Sequence, residues 1–206
     1  SESMAALLNR AGYRRVKQPA RAEVLIVNTC GFIADAREES YAVLQDLAAH
    51  KLPGQKLIAA GCLTERYRLA VAEQVPGIDG ILGTRRWMDI LEIVDALRKD
   101  RAHALYHLPQ VPALSRDERG VPHSAIQGGS AYLKIADGCR RGCAFCAIPL
   151  IKGPAVSREP QAILEEARIL ADQGIQELVL IAQDTTDYGS DLGMKDGLAS
   201  LLEDMA

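Results

Sequence analysis

No stretch of this 206-residue chain approaches the roughly 18 consecutive apolar residues that a membrane-crossing helix needs. Residues 1–8 (SESMAALL) have neither the basic start nor the small-residue cleavage site of a secretory signal. No membrane partner is expected, and a cytoplasmic location is the default expectation. Charge of one sign is also scarce: 24 Lys and Arg against 27 Asp and Glu leave a net −3. No body of the chain therefore reads as a nucleic-acid surface, and no direct nucleic-acid partner is expected. The apolar share of 48% is far too high for a disordered chain. A disulfide framework is disfavoured twice. The expected compartment is reducing, and five cysteines cannot all pair.

The first hundred residues alternate apolar runs with amphipathic segments. Val24 to Val27 is a continuous apolar run, ending in Asn28-Thr29-Cys30-Gly31. Asp35 reads as an N-cap with Glu38 as its capping-box partner, ahead of Tyr41, Leu44, Leu47 and Ala48 at helical spacing as far as His50. Pro53-Gly54 breaks that helix, and Lys56 to Ala60 forms the next strand, ending in Gly61-Cys62. Thr64 reads as the cap of a helix through about Val75. A strand at Gly80 to Gly83 follows, then a helix with Trp87, Ile90, Leu91, Val94 and Leu97 on one face. Apolar strands alternating with helices predict a parallel sheet covered on both faces.

Residues 102 to 130 break this rhythm. Pro109, Pro112, Pro122 and Gly128-Gly129 interrupt a polar stretch, which reads as an interdomain linker. His103, His107 and His123 lack a compact ligand spacing. From Ala131 the pattern restarts with a strand at Tyr132 to Ala136 and a helix from Pro160 to Gln173. That helix carries Ile163, Leu164, Ala167, Leu170 and Ala171 on one face and stops at Gly174. A strand at Glu177 to Ala182, a loop and a helix from Leu198 to Met205 complete two βα units. A full eight-unit barrel takes about 250 residues, so an incomplete barrel, and a fragment of a longer protein, is expected.

Between the strand and the helix of the first unit lie Cys139, Cys143 and Cys146, spaced C-x3-C-x2-C. Three close thiolates suit a cubane cluster whose fourth iron stays open for chemistry. Zinc remains an alternative, but its structural sites take four ligands, and neither a fourth cysteine nor a neighbouring histidine completes the set. Strand, Gly138, three-cysteine loop and helix together resemble a radical S-adenosylmethionine (SAM) enzyme. Cys30 and Cys62 sit just past two apolar strands, at the edge of a parallel sheet where ligands gather. Inert packing and ligation are both open for them.

The wider sequence resembles one family, the radical SAM methylthiotransferases. The matching segments are residues 28–33, 61–67, 132–139, 147–153, 157–158 and 183–189. Among its branches, the segments after Cys30 and Cys62 and the Gln183-Asp184-Thr185 run resemble the ribosomal-protein enzymes more than the tRNA adenosine enzymes.

The resemblance implies an α/β chain. A parallel-sheet (Rossmann-like) methylthiotransferase domain would span 1–108, a linker 109–130, and the first βα units of a radical SAM partial TIM barrel 131–206. It implies SAM and two [4Fe–4S] clusters in the parent enzyme. Cys139, Cys143 and Cys146 would hold the SAM-cleaving cluster. Cys30, Cys62 and a third cysteine on a strand upstream of the first helix would hold a sulfur-delivering one. The implied reaction places a methylthio group on the β-carbon of an aspartate in a small-subunit ribosomal protein. A radical suits that step, because the C–H bond beside a carboxylate is too weakly acidic for base catalysis; the cofactor carries this chemistry. Phe145 is matched to the adenine or to an ordinary core aromatic. Gln183 and Asp184 are matched to the methionine amino group or to a polar turn. Lys152 and Arg158 are matched to a carboxylate or, for Lys152, to plain surface charge. Asp184, Asp187 and Asp191 do not follow an EF-hand spacing. The electron donor is left open, and the chain alone is expected to be inactive.

Overall fold

The computed structural model describes residues 2–99, 104–108 and 123–206. It divides into two compact units, Ser1–Pro112 and Ala113–Ala206. His103, Pro109, Pro112 and Pro122 of the expected linker lie outside the described residues.

The first unit runs α1 (Glu2–Arg10), β1 (Val24–Thr29), α2 (Ala34–His50), β2 (Lys56–Gly61), α3 (Cys62–Tyr67), α4 (Ala70–Gln74), β3 (Gly80–Gly83), α5 (Ile90–Lys99) and β4 (Leu105–His107). Its strands form one parallel sheet in the order β1-β2-β3-β4. Every residue of β2 and β3 is buried, the pattern of strands covered on both faces. On one face Leu25, Leu57, Ala59 and Ile81 pack with Leu44 of α2 and with Leu63, Val71 and Val75. On the other, Ile93 and Leu97 of α5 close over Gly80 and Ile58.

Three local expectations are corrected. Asp35 is not the cap of α2: the N-cap position is Ile33, with no side-chain cap bond. Asp35 instead lies in the first turn, where a carboxylate favours the helix dipole. Thr64 does not start a long helix either. It is buried inside α3, and its hydroxyl reaches Gly61 O and Leu82 O at 2.9 and 2.7 Å. The helix stops at Arg68, whose φ of +51° takes the backbone out of the helical region. Trp87 belongs to a 3-10 turn, Thr84–Asp89, before α5 begins, and Ile93 joins Ile90, Val94 and Leu97 as a buried position.

The second unit runs β5 (Ser124–Gln127), β6 (Ser130–Lys134), β7 (Ala136–Asp137), α6 (Ile148–Ile151), β8 (Val156–Ser157), α7 (Pro160–Asp172), β9 (Glu177–Ile181) and α8 (Gly197–Met205). β6 and β9 pair in parallel, with Lys134 opposite Ile181. The segments that follow them therefore leave the sheet at the same end. α7 and α8 pack Ile163, Leu164, Ala167, Leu170 and Leu201 against Ala131, Leu133 and Ile135. Ala171 is exposed rather than on the packed face. The stretch from 102 to 130, read as an interdomain linker, contains β4 as well as β5. Ser124–Gln127 is a strand, antiparallel to β6 across a turn at Gly128-Gly129. The alternating partner strand supplied by β6 decides this, not the polar composition of the segment.

Candidate functional site

The three-cysteine loop starts where β7 ends. Gly138 has a φ of +81°, and a Cβ there would fall 2.1 Å from Pro154 O, so only glycine suits this bend. The Gly138 N–H donates to Gln183 Oε1 at 2.8 Å, and the Cys139 N–H donates to Gly153 O at 3.0 Å. Cys139 is buried, Cys146 half-buried and Cys143 exposed; all are free thiols. Cys139 Sγ accepts the Arg141 N–H at 3.5 Å, and the Cys146 N–H donates to Cys143 O. Phe145 is 92% exposed, which removes its core alternative and leaves both ring faces open.

Beneath this loop lies a partly buried group of charges. Asp137 Oδ2 stands 3.2 Å from Lys152 Nζ and 3.6 Å from Lys134 Nζ. Burial opposes ionisation of Asp137, but the two lysines outweigh it and hold its carboxyl below the usual range. Burial pushes the Lys134 ammonium down, against the pull of Asp137. Lys152 is thus a half-buried ion-pair partner rather than plain surface charge. Arg158 is only 3% exposed; its guanidinium donates to Lys134 O at 2.7 Å and to Glu166 Oε2 at 2.8 Å. It supports the strand ends from inside the unit.

Gln183 and Asp184 follow β9. Asp184 accepts Arg141 Nε at 2.6 Å on one oxygen and Thr186 Oγ1 at 2.6 Å on the other. These bonds, Thr186 first and Arg141 second, hold its carboxyl below the usual range. Asp187 pairs with Arg140. Asp191 accepts the Ser157 N–H at 2.9 Å, so the three aspartates reach three different partners. The roles of Arg140, Arg141 and Thr186 escaped the sequence reading. The only signal was two adjacent arginines inside the C-x3-C spacer, which looks like solvated charge until the partner loop is known.

In the first unit, Thr29 pairs with Gly61 on the β1–β2 ladder, so Cys30 and Cys62 lie one residue past the same rung. Gly61 takes a φ of +121°, and a Cβ there would fall 2.5 Å from Thr29 O. Gly31 approaches so closely that a Cβ would lie 2.7 Å from Cys62 O and the Leu63 backbone. Thr29 Oγ1 donates to Ala60 O at 2.8 Å, and the Cys30 N–H donates to Ser40 Oγ at 3.0 Å. Both thiols are half-buried, and neither is in a disulfide. Arg66 donates to Gly31 O at 2.8 Å, and Arg37 to Tyr67 OH at 2.9 Å, so two cations flank the same end of the sheet. Glu65, 4% exposed, sits one helical turn past Cys62 and accepts the Arg85 N–H.

The structure therefore brings Cys30 near Cys62 and sets Cys139, Cys143 and Cys146 on one irregular loop. Among the described residues, no three His, Cys, Asp or Glu side chains are gathered closely enough to hold a metal ion. The donor chemistry of the loop still fits an iron–sulfur cluster. It offers three free thiols, and a loop without ladder bonds can bring them together. Among the described residues, no helix is long and apolar enough to cross a membrane.

Comparison with known proteins gives the two units separate matches. Residues 1–83 match the model of "Uncharacterized protein family UPF0004", and residues 133–203 match that of the "Radical SAM superfamily". The whole chain is 47% identical to the ribosomal protein uS12 methylthiotransferase RimO of Roseiflexus sp. (strain RS-1), covering 47% of that protein. It is 44% identical to the RimO of Chloroflexus aurantiacus, covering 48%, and 37% identical to that of Prochlorococcus marinus (strain MIT 9215), covering 44%. The chain thus spans about half the length of the curated relatives it matches. Among solved structures, the radical SAM methyltransferase TsrM of Kitasatospora setae matches 97% of this chain and 42% of its own, with a TM-score of 0.56. At 15% identity that likeness concerns the fold alone. Cys30 and Cys62 lie inside the UPF0004 match and the cysteine loop inside the radical SAM match, so the chain joins these two segments in one order and is similar along its whole length to the methylthiotransferases named above.

Proposed function

We propose that this chain is part of a cytoplasmic radical SAM enzyme that places a methylthio group on the β-carbon of an aspartate in the small-subunit ribosomal protein uS12. The observation that carries this reading is the presence of two separate thiol sets, one on adjacent strand ends and one on the loop after β7. Relatives named as uS12 methylthiotransferases at up to 47% identity support the choice of substrate.

Residues 1–108 would carry the sulfur-delivering site and residues 131–206 the SAM site, on either side of the connecting stretch. A [4Fe–4S] cluster on Cys139, Cys143 and Cys146 would supply the electron that cleaves SAM. Around it, Phe145 offers an exposed ring for the adenine, and Lys152 a cation for the carboxylate of the methionine part. Arg158 holds the end of β6 beneath that cation. Gln183 and Asp184 close the site from the end of β9. Cys30 and Cys62 would supply two thiolates of a second, sulfur-delivering cluster.

Anaerobic reconstitution with iron and sulfide tests the cofactor part. Iron and sulfide are expected, and stoichiometric zinc without sulfide would sink the reading. The full-length protein supplied with SAM and reductant tests the substrate. A methylthio mass shift is expected on uS12; a shift on tRNA alone would move the chain to the other branch.

A further inference from the structure

The loop that carries Cys139, Cys143 and Cys146 has few backbone bonds of its own, yet it is fastened at several points to the segment after β9. Gly138 donates its N–H to Gln183 Oε1 at 2.8 Å. Arg140 pairs with Asp187, which is 6% exposed. Arg141 Nε reaches Asp184 Oδ2 at 2.6 Å, and its Nη2 lies 3.5 Å from Thr186 Oγ1. Thr186 in turn donates to Asp184 Oδ1 at 2.6 Å. The two arginines are neighbours within the spacer between Cys139 and Cys143, so both ties act on the same short piece of chain.

The anchoring segment is itself held. The Gly189 N–H donates to Ser157 Oγ at 2.8 Å, and Asp191 Oδ2 accepts the Ser157 N–H at 2.9 Å. Tyr188 OH donates to Arg158 O at 3.0 Å; burial pushes its phenol up to about 12, so it stays a donor across the ordinary pH range. Both oxygens of Asp184 are engaged within this network. Exposed ion pairs alone contribute little. Here Asp187 is buried and Asp184 half-buried while both arginines are exposed, so the ties act by orientation: loss of a carboxylate leaves an arginine without the partner that directs the loop.

We propose that Gln183, Asp184, Thr186 and Asp187 act as a clamp on Gly138, Arg140 and Arg141, making them positioning residues that set the cysteine loop before any cofactor arrives. The clamp rests on the reading that this loop holds the cluster, and its test separates the two.

Peptide-resolved alkylation of the metal-free chain reads the clamp directly. Cys139 is buried and Cys143 exposed, so Cys139 reacts slowly in the wild type. In Asp184→Asn and Asp187→Asn, Cys139 reacts about tenfold faster, while Cys30 and Cys62 keep their rates. Arg141→Lys, which keeps the charge but loses the planar fork, falls between. The exchange Arg141→Asp with Asp184→Arg restores most of the protection. An unchanged Cys139 rate in both asparagine variants would overturn the proposal. So would equal acceleration at all five cysteines, which would mark a general loss of structure. With iron and sulfide, the variants are expected to load more slowly and to give an altered reduced-cluster EPR signal. Identical loading and signal would also overturn the positioning role. A wild type that takes up no iron would instead sink the cluster reading, and the alkylation rates alone would then decide the clamp.

Discussion

Cys30 and Cys62 owe their places to a backbone ladder, whereas the loop of Cys139, Cys143 and Cys146 lies off any ladder and is tied at its Cys139 end by side chains. In the first unit the parallel pairing of β1 and β2 puts two strand ends on one rung, and Cys30 and Cys62 each follow one residue past it. In the second unit the paired strands β6 and β9 deliver only the two ends of the site. The loop between them is then tied down by Arg140, Arg141 and Gln183. A site built on a ladder tolerates side-chain changes around it, while a site built on a loop depends on them. The ladder is fixed by many bonds at once, the loop by a handful.

The largest effect expected from this contrast is on metal uptake. Joint replacement of Cys139, Cys143 and Cys146 by Ala removes the iron bound through the loop, as counted after anaerobic reconstitution. Cys30→Ala with Cys62→Ala leaves that iron in place. Loss of iron from both variants alike would break the comparison.

Backbone substitutions come next. Gly61→Ala and Gly138→Ala each force a Cβ against a carbonyl at positive φ. Each costs about 3 kcal/mol. Trp87, the single tryptophan, lies in the first unit, so its fluorescence reports that unit's unfolding. Gly61→Ala shifts the fluorescence transition in denaturant; Gly138→Ala shifts the far-UV circular dichroism and leaves the fluorescence transition in place. A common shift would show that the units unfold together.

Acid sharpens the contrast further. Burial of Asp79 opposes its ionisation, but Lys51 at 2.5 Å, the Leu57 N–H at 2.8 Å and Lys56 at 3.3 Å hold its carboxyl below the usual range. A depressed carboxyl stabilises the fold fully above its unfolded value of about 3.9 and loses that contribution as pH falls through the lower folded value. The fluorescence-detected melting temperature therefore drops below about pH 4, and Asp79→Asn flattens that drop. An Asp79→Asn profile as steep as the wild type would remove Asp79 as its cause. The smallest stability effect is expected at Phe145. At 92% exposure, Phe145→Ala leaves stability within about 0.5 kcal/mol, measured by the same unfolding curves.

Periodicity and punctuation made most of the elements legible. β2 is apolar after Lys56 and β3 apolar throughout, α7 has Pro160 at its start and Gly174 beyond its end, and each falls within a residue or two of its expected place. Several of the misses share one cause. Asp35 and Thr64 carry the residue types of caps, but Thr64 found better partners in Gly61 O and Leu82 O, from another strand. Ser124–Gln127 looked like linker because its pairing partner is what makes it a strand. Arg140 and Arg141 carried no assignment from sequence, because their partners Asp187 and Asp184 lie more than forty residues along the chain.

By itself the sequence determined the alternation of strands and helices, the three-thiol spacing and the family resemblance. These depend on residue type and local order, which a linear chain records. Only the tertiary structure decided that Cys30 and Cys62 follow a shared rung, that Lys152 and Arg158 are drawn into a half-buried and a buried ion pair, and that the cysteine loop is held by the segment after β9. Those facts depend on which distant segments pair, and the burial and hydrogen bonding that select the pairing belong to no single stretch of chain.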